Sequence, residues 1–259
     1  MSDERGKIEL SREELDRLTK DRFERPMPRR FYEKAAVEGE AAPFSIALDG
    51  RALRTPLKAP LELPTRALAR AVAEEWNAQG ETINPFAMPL TRLANAAIDR
   101  VRGRRDEVIA SICAFGAHDL LCYRASQPLA FAHLQGRTWD PLLEWAREQT
   151  GARFVLAEGV MPVEQPEETI AALRARYEVF GEFQLAGLSN MATLTGSAIL
   201  PLAVAAGRLA PGEAWEASVL DETWNARQWG EDAEAAARLE LRRREFLSAA
   251  RLLELLRAA

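Results

Sequence analysis

Two periodicities divide the chain. Phe44, Ile46 and Leu48 alternate with small or polar residues, Asp49-Gly50 follows, and Arg51-Ala52-Leu53-Arg54 comes after it. Alternation on both sides of Asp-Gly predicts a β-hairpin, because that dipeptide tolerates the positive φ of a tight turn. Phe31 to Val37 is placed as the strand before it, and Leu61 to Leu63 as a short one after it. Residues 30–63 thus read as a small antiparallel sheet with one apolar face to cover. The period then changes. Pro64-Thr65 stops the strand, and Thr65 caps a helix whose Leu68, Val72 and Trp76 share one face. Gly80 is placed just past its end. Pro85 and Pro89 are expected to hold the link extended. A second helix is predicted from Leu90 or Thr91, apolar at Leu93, Ala97 and Val101, with Leu90, Ala94 and Ile98 beside them.

After Val101 the helical period dominates. Asp106 to Phe115 carries Val108, Ile109, Ile112 and Cys113 at helical spacing. Asp119 to Arg124 fits a helix end or a strand equally. Asp140-Pro141 predicts a helix start, with Asp140 as cap, and that helix stops at Gly151. Phe154-Val155-Leu156 is placed as a strand returning to the first sheet. Pro166 opens a helix that ends before Gly181. Phe183 to Gly207 carries no charge, yet Gln184, Ser189, Asn190, Thr193, Thr195 and Ser197 punctuate it, and Gly196 and Pro201 break it. A buried helix pair is expected there, not a membrane span. A helix from Pro211 to Asn225 follows. A last long one starts with Glu231, Asp232 and Glu234 in its first turn and is apolar at Ala236, Leu239, Phe246, Ala250 and Leu253. Near the N-terminus, Ser11 to Glu14 reads as a capping box opening a short helix that Pro26 and Pro28 end. The expected class is α+β: residues 1–29 an arm with a short helix, 30–101 an α+β domain, and 102–259 mainly helical.

Composition narrows the function. The 259 residues are 47% apolar and 28% charged with net charge −5, as in an ordinary globular protein. That balance disfavours a nucleic-acid partner, and the Arg102/Arg104/Arg105 and Arg242/Arg243/Arg244 clusters read as solvated helix surface. Cys113 and Cys122 sit in apolar context and are expected as buried free thiols. The N-terminal sequence has no signal-peptide core and is too acidic for a transit peptide, so a bacterial-type cytoplasm is expected.

Candidate chemistry is sparse. His118 adjoins Asp119, but neighbours in sequence do not face each other on a helix or strand, and His133 stands alone. No metal spacing, phosphate loop, dinucleotide fingerprint or nucleophile elbow occurs, so no metal or cofactor is expected. Six tryptophans, at 76, 139, 145, 215, 224 and 229, are suited to core or interface. Glu240 lies at the edge of the last helix's apolar stripe, where a carboxylate could meet a partner.

One run stands out: LPTRALARAVAEEWNAQGETINPFAMPLTRLANAAIDRV, Leu63 to Val101. It resembles the signature region of the Atp12 family, assembly chaperones of the F1 part of ATP synthase. RRFYEKAAVE with FSIALDGRALRTPLKAPLELP resembles the family's opening sheet. HDLLCYRA, and Gln135 followed by Trp139-Asp140-Pro141-Leu142-Leu143, resemble its middle, and Gly196 to Asp232 its C-terminal half. The specific words are NPFAMPLTRLAN, with Asn84, Pro85, Pro89, Arg92 and Asn95, and QWGED, with Trp229, Gly230, Glu231 and Asp232. Trp224-Asn225 departs from the Phe-Gln expected there. The resemblance implies an N-terminal α+β part, a C-terminal orthogonal helical bundle, no nucleotide hydrolysis, and binding of the free F1 α subunit until β replaces it, a shielding role that a monomer suits. It implies a structural role for Trp76 and offers Glu240 as the match for an acidic partner-binding position. The alternative is a small-molecule enzyme using carboxylates in the cleft between the two parts.

Overall fold

The computed structural model describes residues 27–159, 163–230 and 232–258. The expected capping box at Ser11 to Glu14 lies outside them. The hairpin forms at Asp49-Gly50: β1 (Ala35–Glu38), β2 (Ser45–Leu48) and β3 (Arg51–Ala52) make an antiparallel sheet in that order, with Ala35 opposite Leu48 and Leu48 opposite Arg51. Asp49 at φ 47° and Gly50 at φ 77° supply the left-handed pair that such a turn needs. The Asp49 carboxylate also accepts from the N–H groups of Glu33 and Lys34, 2.9 Å each, which holds its carboxyl below the usual carboxylate range. Leu63 adds a bridge to Phe44.

Helix α1 (Arg66–Asn77) covers the sheet with Leu68 and Val72 buried. Thr65 caps it at 3.1 Å, accepting from Leu68 N, and donates its own proton to the Leu255 carbonyl near the end of the chain. The helix ends at Ala78, two residues before Gly80. The link is not extended. Pro85–Ala87 forms a 3-10 turn, and Pro89 occupies the first position of α2 (Pro89–Ala96), where no N–H is required. A π-helical turn, Ala97–Val101, continues α2 and keeps Ala97, Ile98 and Val101 in the core.

The remaining chain is a helical bundle: α3 (Arg105–Ala117), α4 (Leu129–Thr150), α5 (Glu167–Tyr177), α6 (Glu182–Thr195), α7 (Ile199–Ala205), α8 (Pro211–Ser218), α9 (Leu220–Trp229) and α10 (Ala233–Arg257). The class is therefore α+β. Asp119 to Arg124 is both things its sequence allowed, a 3-10 turn and then β4 (Tyr123–Arg124).

Three expectations are corrected. Asp140-Pro141 lies inside α4 and opens nothing. Trp139 and Leu142 are buried on either side, the Trp139 Nε1–H donates to the Ala217 carbonyl at 2.9 Å, and Asp140 pairs with Arg124 at 2.8 Å. Tertiary packing thus carries the helix across a residue that breaks isolated ones. Phe154 to Leu156 does not rejoin the first sheet; β5 (Ala157–Glu158) pairs in parallel with β4. The helix predicted from Pro211 to Asn225 is two, broken at Val219.

The uncharged stretch is the buried pair α6 and α7, separated by Gly196 at φ 65°. No helix among the described residues is long and apolar enough to cross a membrane. Helices α6 and α10 run antiparallel: Arg242 of α10 donates to the Leu194 carbonyl, and Gly187 faces Ala249. A Cβ on Gly187 would stand 3.3 Å from the Ala249 carbonyl oxygen, so the glycine permits this close approach. Buried side chains from Tyr32 to Leu253 form one continuous cluster.

Candidate functional site

The NPFAMPLTRLAN segment is tied down by side chains upstream of it. The Asn84 carboxamide oxygen accepts from Phe86 N at 3.0 Å, while Asn84 N donates to Gln79 Oε1 at 2.7 Å. Met88 provides no cap for α2. Glu75 of α1 does so instead: its carboxylate accepts from Leu90 N, Thr91 N and the Thr91 hydroxyl at 2.8, 2.8 and 2.7 Å. Burial pushes the Glu75 carboxyl up, against the opposing pull of those bonds. Trp76, beside it, accepts the Tyr32 hydroxyl on its carbonyl at 2.7 Å, and its ring packs 5.6 Å from the Tyr32 ring. Its indole nitrogen is buried without a hydrogen-bond partner.

Arg92 carries this segment to the far end of the chain. Its guanidinium bonds Glu245 of α10 and lies 5.8 Å over the Phe86 ring. The Arg92 Nε and the Asn95 carboxamide oxygen are buried and unbonded. In α10, Asp232 accepts from Ala235 N at 2.9 Å and caps the helix. Gly230, at φ 93°, turns the chain into it. Trp229 points to solvent at 87% exposure. Glu231 is outside the described residues. The Glu240 side chain is 19% exposed and accepts from Arg244 Nε at 3.0 Å and Arg243 Nη1 at 3.5 Å, both on its own helix. Arg92, in the first of the two words that carried the resemblance, thus reaches Glu245 on α10, the helix that Asp232 of the second word caps.

Several residues that hold this arrangement were given no structural role in the sequence reading. Asn77 bonds both the N–H and the carbonyl of Ala35 at 2.8 Å, fixing α1 to β1. Gln135 accepts from Ala125 N and donates to Asp221. Asp119 is fully buried and accepts from Leu121 N, Ala198 N and Ile199 N at 3.1, 2.8 and 3.2 Å, so it caps α7 from outside. Desolvation outweighs those bonds and pushes its pKa up to about 6. No local signal marked Asp119 as a cap, since Ser197 Oγ already accepts from Ile199 N and Leu200 N at 3.1 Å each. His118 turns away from Asp119, toward the Tyr123 hydroxyl at 3.3 Å. Cys113 and Cys122 are free and buried, and burial pushes the Cys122 thiol up to about 12, which keeps it unreactive.

The carboxylates with raised pKa are thus committed to structure: Glu75 and Asp119 to helix starts, Asp221 to Gln135. Two surface grooves carry other acids. A groove of about 350 Å³ between the sheet and the bundle is lined by Glu62, Leu63, Arg102, Glu182 and Phe183, with Glu182 paired to Arg102 at 3.2 Å. One of about 440 Å³ beside α4 is lined by Asp140, Glu144, Arg147, Arg153 and Phe154, with Glu144 paired to Arg147. Among the described residues no three His, Cys, Asp or Glu side chains are grouped to hold a metal ion.

In this α+β chain the described carboxylates of raised pKa are packed into the fold, and an aromatic stands exposed at a helix elbow. Residues 29–147 match the family described as ATP12 chaperone protein. The chain is 46% identical to the Atu1473 protein of Agrobacterium tumefaciens, a candidate chaperone, with a TM-score of 0.85 over 90% of this chain and 88% of that one. It is 42% identical to Atp12 from Paracoccus denitrificans, with a TM-score of 0.82 over 88% of this chain and 98% of that one. The mitochondrial atp12 protein of Schizosaccharomyces pombe is 25% identical over 224 residues, 80% of this chain and 76% of that protein. The chain belongs to the ATP12 chaperone family.

Proposed function

We propose that this protein is an assembly chaperone for the F1 part of ATP synthase. It binds the free α subunit and shields its subunit-interface surface until the β subunit replaces it. The observation that carries the reading is the likeness to Paracoccus Atp12, which extends over 98% of that chain. An isolated subunit of a ring exposes an apolar face that aggregates, and a folded protein that covers it reversibly prevents this. Release by competition needs no ATP, which agrees with a sequence that holds no phosphate loop. The protein acts as a monomer in a bacterial-type cytoplasm and is not an enzyme. What argues against an enzyme in the interdomain groove is that Glu182 is paired with Arg102, while of the carboxylates of raised pKa Glu75 and Asp119 serve helix starts and Asp221 bonds Gln135.

Within this reading Glu240 contributes to the partner surface. Its carboxylate lies among Arg243 and Arg244, so a cation from the partner would exchange one ion pair for another, which suits recognition better than affinity. Trp76, Asn84, Pro85, Pro89, Arg92, Asn95, Gly230 and Asp232 serve the scaffold that presents it. The test is light scattering of F1 α subunit diluted from denaturant, without nucleotide. Scattering falls when this protein is present in equimolar amount, and Glu240→Lys suppresses it less well. Unchanged scattering with the wild-type protein would refute the proposal.

A further inference from the structure

Among the described α-helices, α9 alone has no fully buried side chain. It is held at one end, where Trp224 stacks on Phe131 at 5.0 Å and Glu222 pairs with Arg242 at 2.9 Å. Its other end projects. There Trp229 is the most exposed of the large apolar side chains among the described residues, at 87%, and Gly230 turns the chain sharply into α10. The first turn of α10, Asp232 to Ala235, is exposed as well. An indole placed this way contributes no packing to the fold. Tryptophan in that position is the residue type most enriched among the anchors of protein interfaces.

We infer that Trp229, carried on the α9–α10 elbow, is the anchor that seats this chaperone in an apolar pocket on its client, the pocket being rimmed by lysine or arginine. The inference rests on the client reading proposed above and adds the contact residue. The charge of the elbow selects the occupant. Asp232 and Glu234 lie in the exposed first turn of α10 just after Trp229, Glu234 in an exposed pair with Arg238, so the aromatic is presented beside acids. A basic rim on a different protein complements them, whereas a second copy of this chain would bring the same acids to face them. Glu240 lies two turns into α10 from the elbow, so the end of α9 would supply the anchor and α10 a charged contact.

The experiment uses the full chain, with Trp229→Ala and Trp229→Phe, titrated with F1 α subunit by calorimetry. Trp229→Ala weakens binding about tenfold or more, and Trp229→Phe by no more than about threefold. Both melt at the wild-type temperature, because the side chain is 87% exposed and packs little against the described residues. The emission difference between wild type and Trp229→Phe isolates Trp229. It is that of a solvated indole in the free protein and shifts to the blue when α subunit is added. Wild-type affinity in Trp229→Ala, or an unshifted difference spectrum in the complex, overturns this inference and leaves the client reading standing. Failure of the wild-type protein to bind α subunit at all overturns both. A blue-shifted Trp229 in the free protein also overturns it: dependence on protein concentration would assign the elbow to a second copy, and loss on deleting residues 1–26 would assign it to the chain's own N-terminal segment.

Discussion

The Glu75 carboxylate accepts from two backbone N–H groups and a hydroxyl at the start of α2, a helix with no cap of its own. Glu75→Ala leaves both N–H groups unpaired in a partly buried site. It is expected to cost about 2–4 kcal/mol, read as a lower urea midpoint, with Glu75→Gln near half of that. Asp119 gives a pH signature. Its pKa rises from an ordinary 3.8 to about 6, so the folded state binds the proton more tightly than the unfolded chain. Its contribution is therefore fully present below pH 3.8 and is lost as pH rises through 6. Relative to Asp119→Asn, wild-type stability should fall across that window by up to about 3 kcal/mol, measured by urea unfolding at several pH values. These residues explain what was hard to read. Leu68, Val72 and Ile46 announce burial by their spacing, whereas Glu75, Asn77 and Asp119 act on segments remote in sequence. No local pattern identifies a cap contributed by another element.

At the scale of elements, local rules succeeded where a segment satisfies itself and failed where a neighbour overrides it. The Asp49-Gly50 hairpin and the Thr65 cap depend on their own residues, and both formed as read. Asp140-Pro141 has the local form of a helix start, yet buried Trp139 and Leu142 bind α4 to the bundle on both sides of the proline. Replacing that proline should therefore help. Pro141→Ala restores an N–H facing the Arg137 carbonyl and removes a ring crowding it, offset by a more flexible unfolded chain. A gain of about 1–2 kcal/mol is expected, visible in calorimetry as a melting point a few degrees higher. The candidate site divides in the same way. Around Asn84 the sequence was read as an extended link, where the chain forms a 3-10 turn, whereas the last helix starts at Ala233 with Asp232 as its cap, within two residues of the expected start at Glu231. The exposure of Trp229 was not legible, because nothing in its spacing distinguishes a core indole from one at an elbow.

For the whole molecule, one continuous core joins sheet and bundle, with Thr65 bonding Leu255 and Arg92 bonding Glu245. The last helix is thus held at its end by the first, while its start projects into solvent. A body fixed in this way can offer a partner surface without refolding, which is the requirement for capture and release without ATP. The most direct measurement is displacement: a purified complex with F1 α subunit is mixed with β subunit in the absence of nucleotide and resolved by size exclusion with light scattering. The account predicts a one-to-one complex that β converts into an α–β assembly, with this protein eluting as a free monomer. A complex that keeps this protein bound in the presence of β, or no complex at the outset, would contradict it.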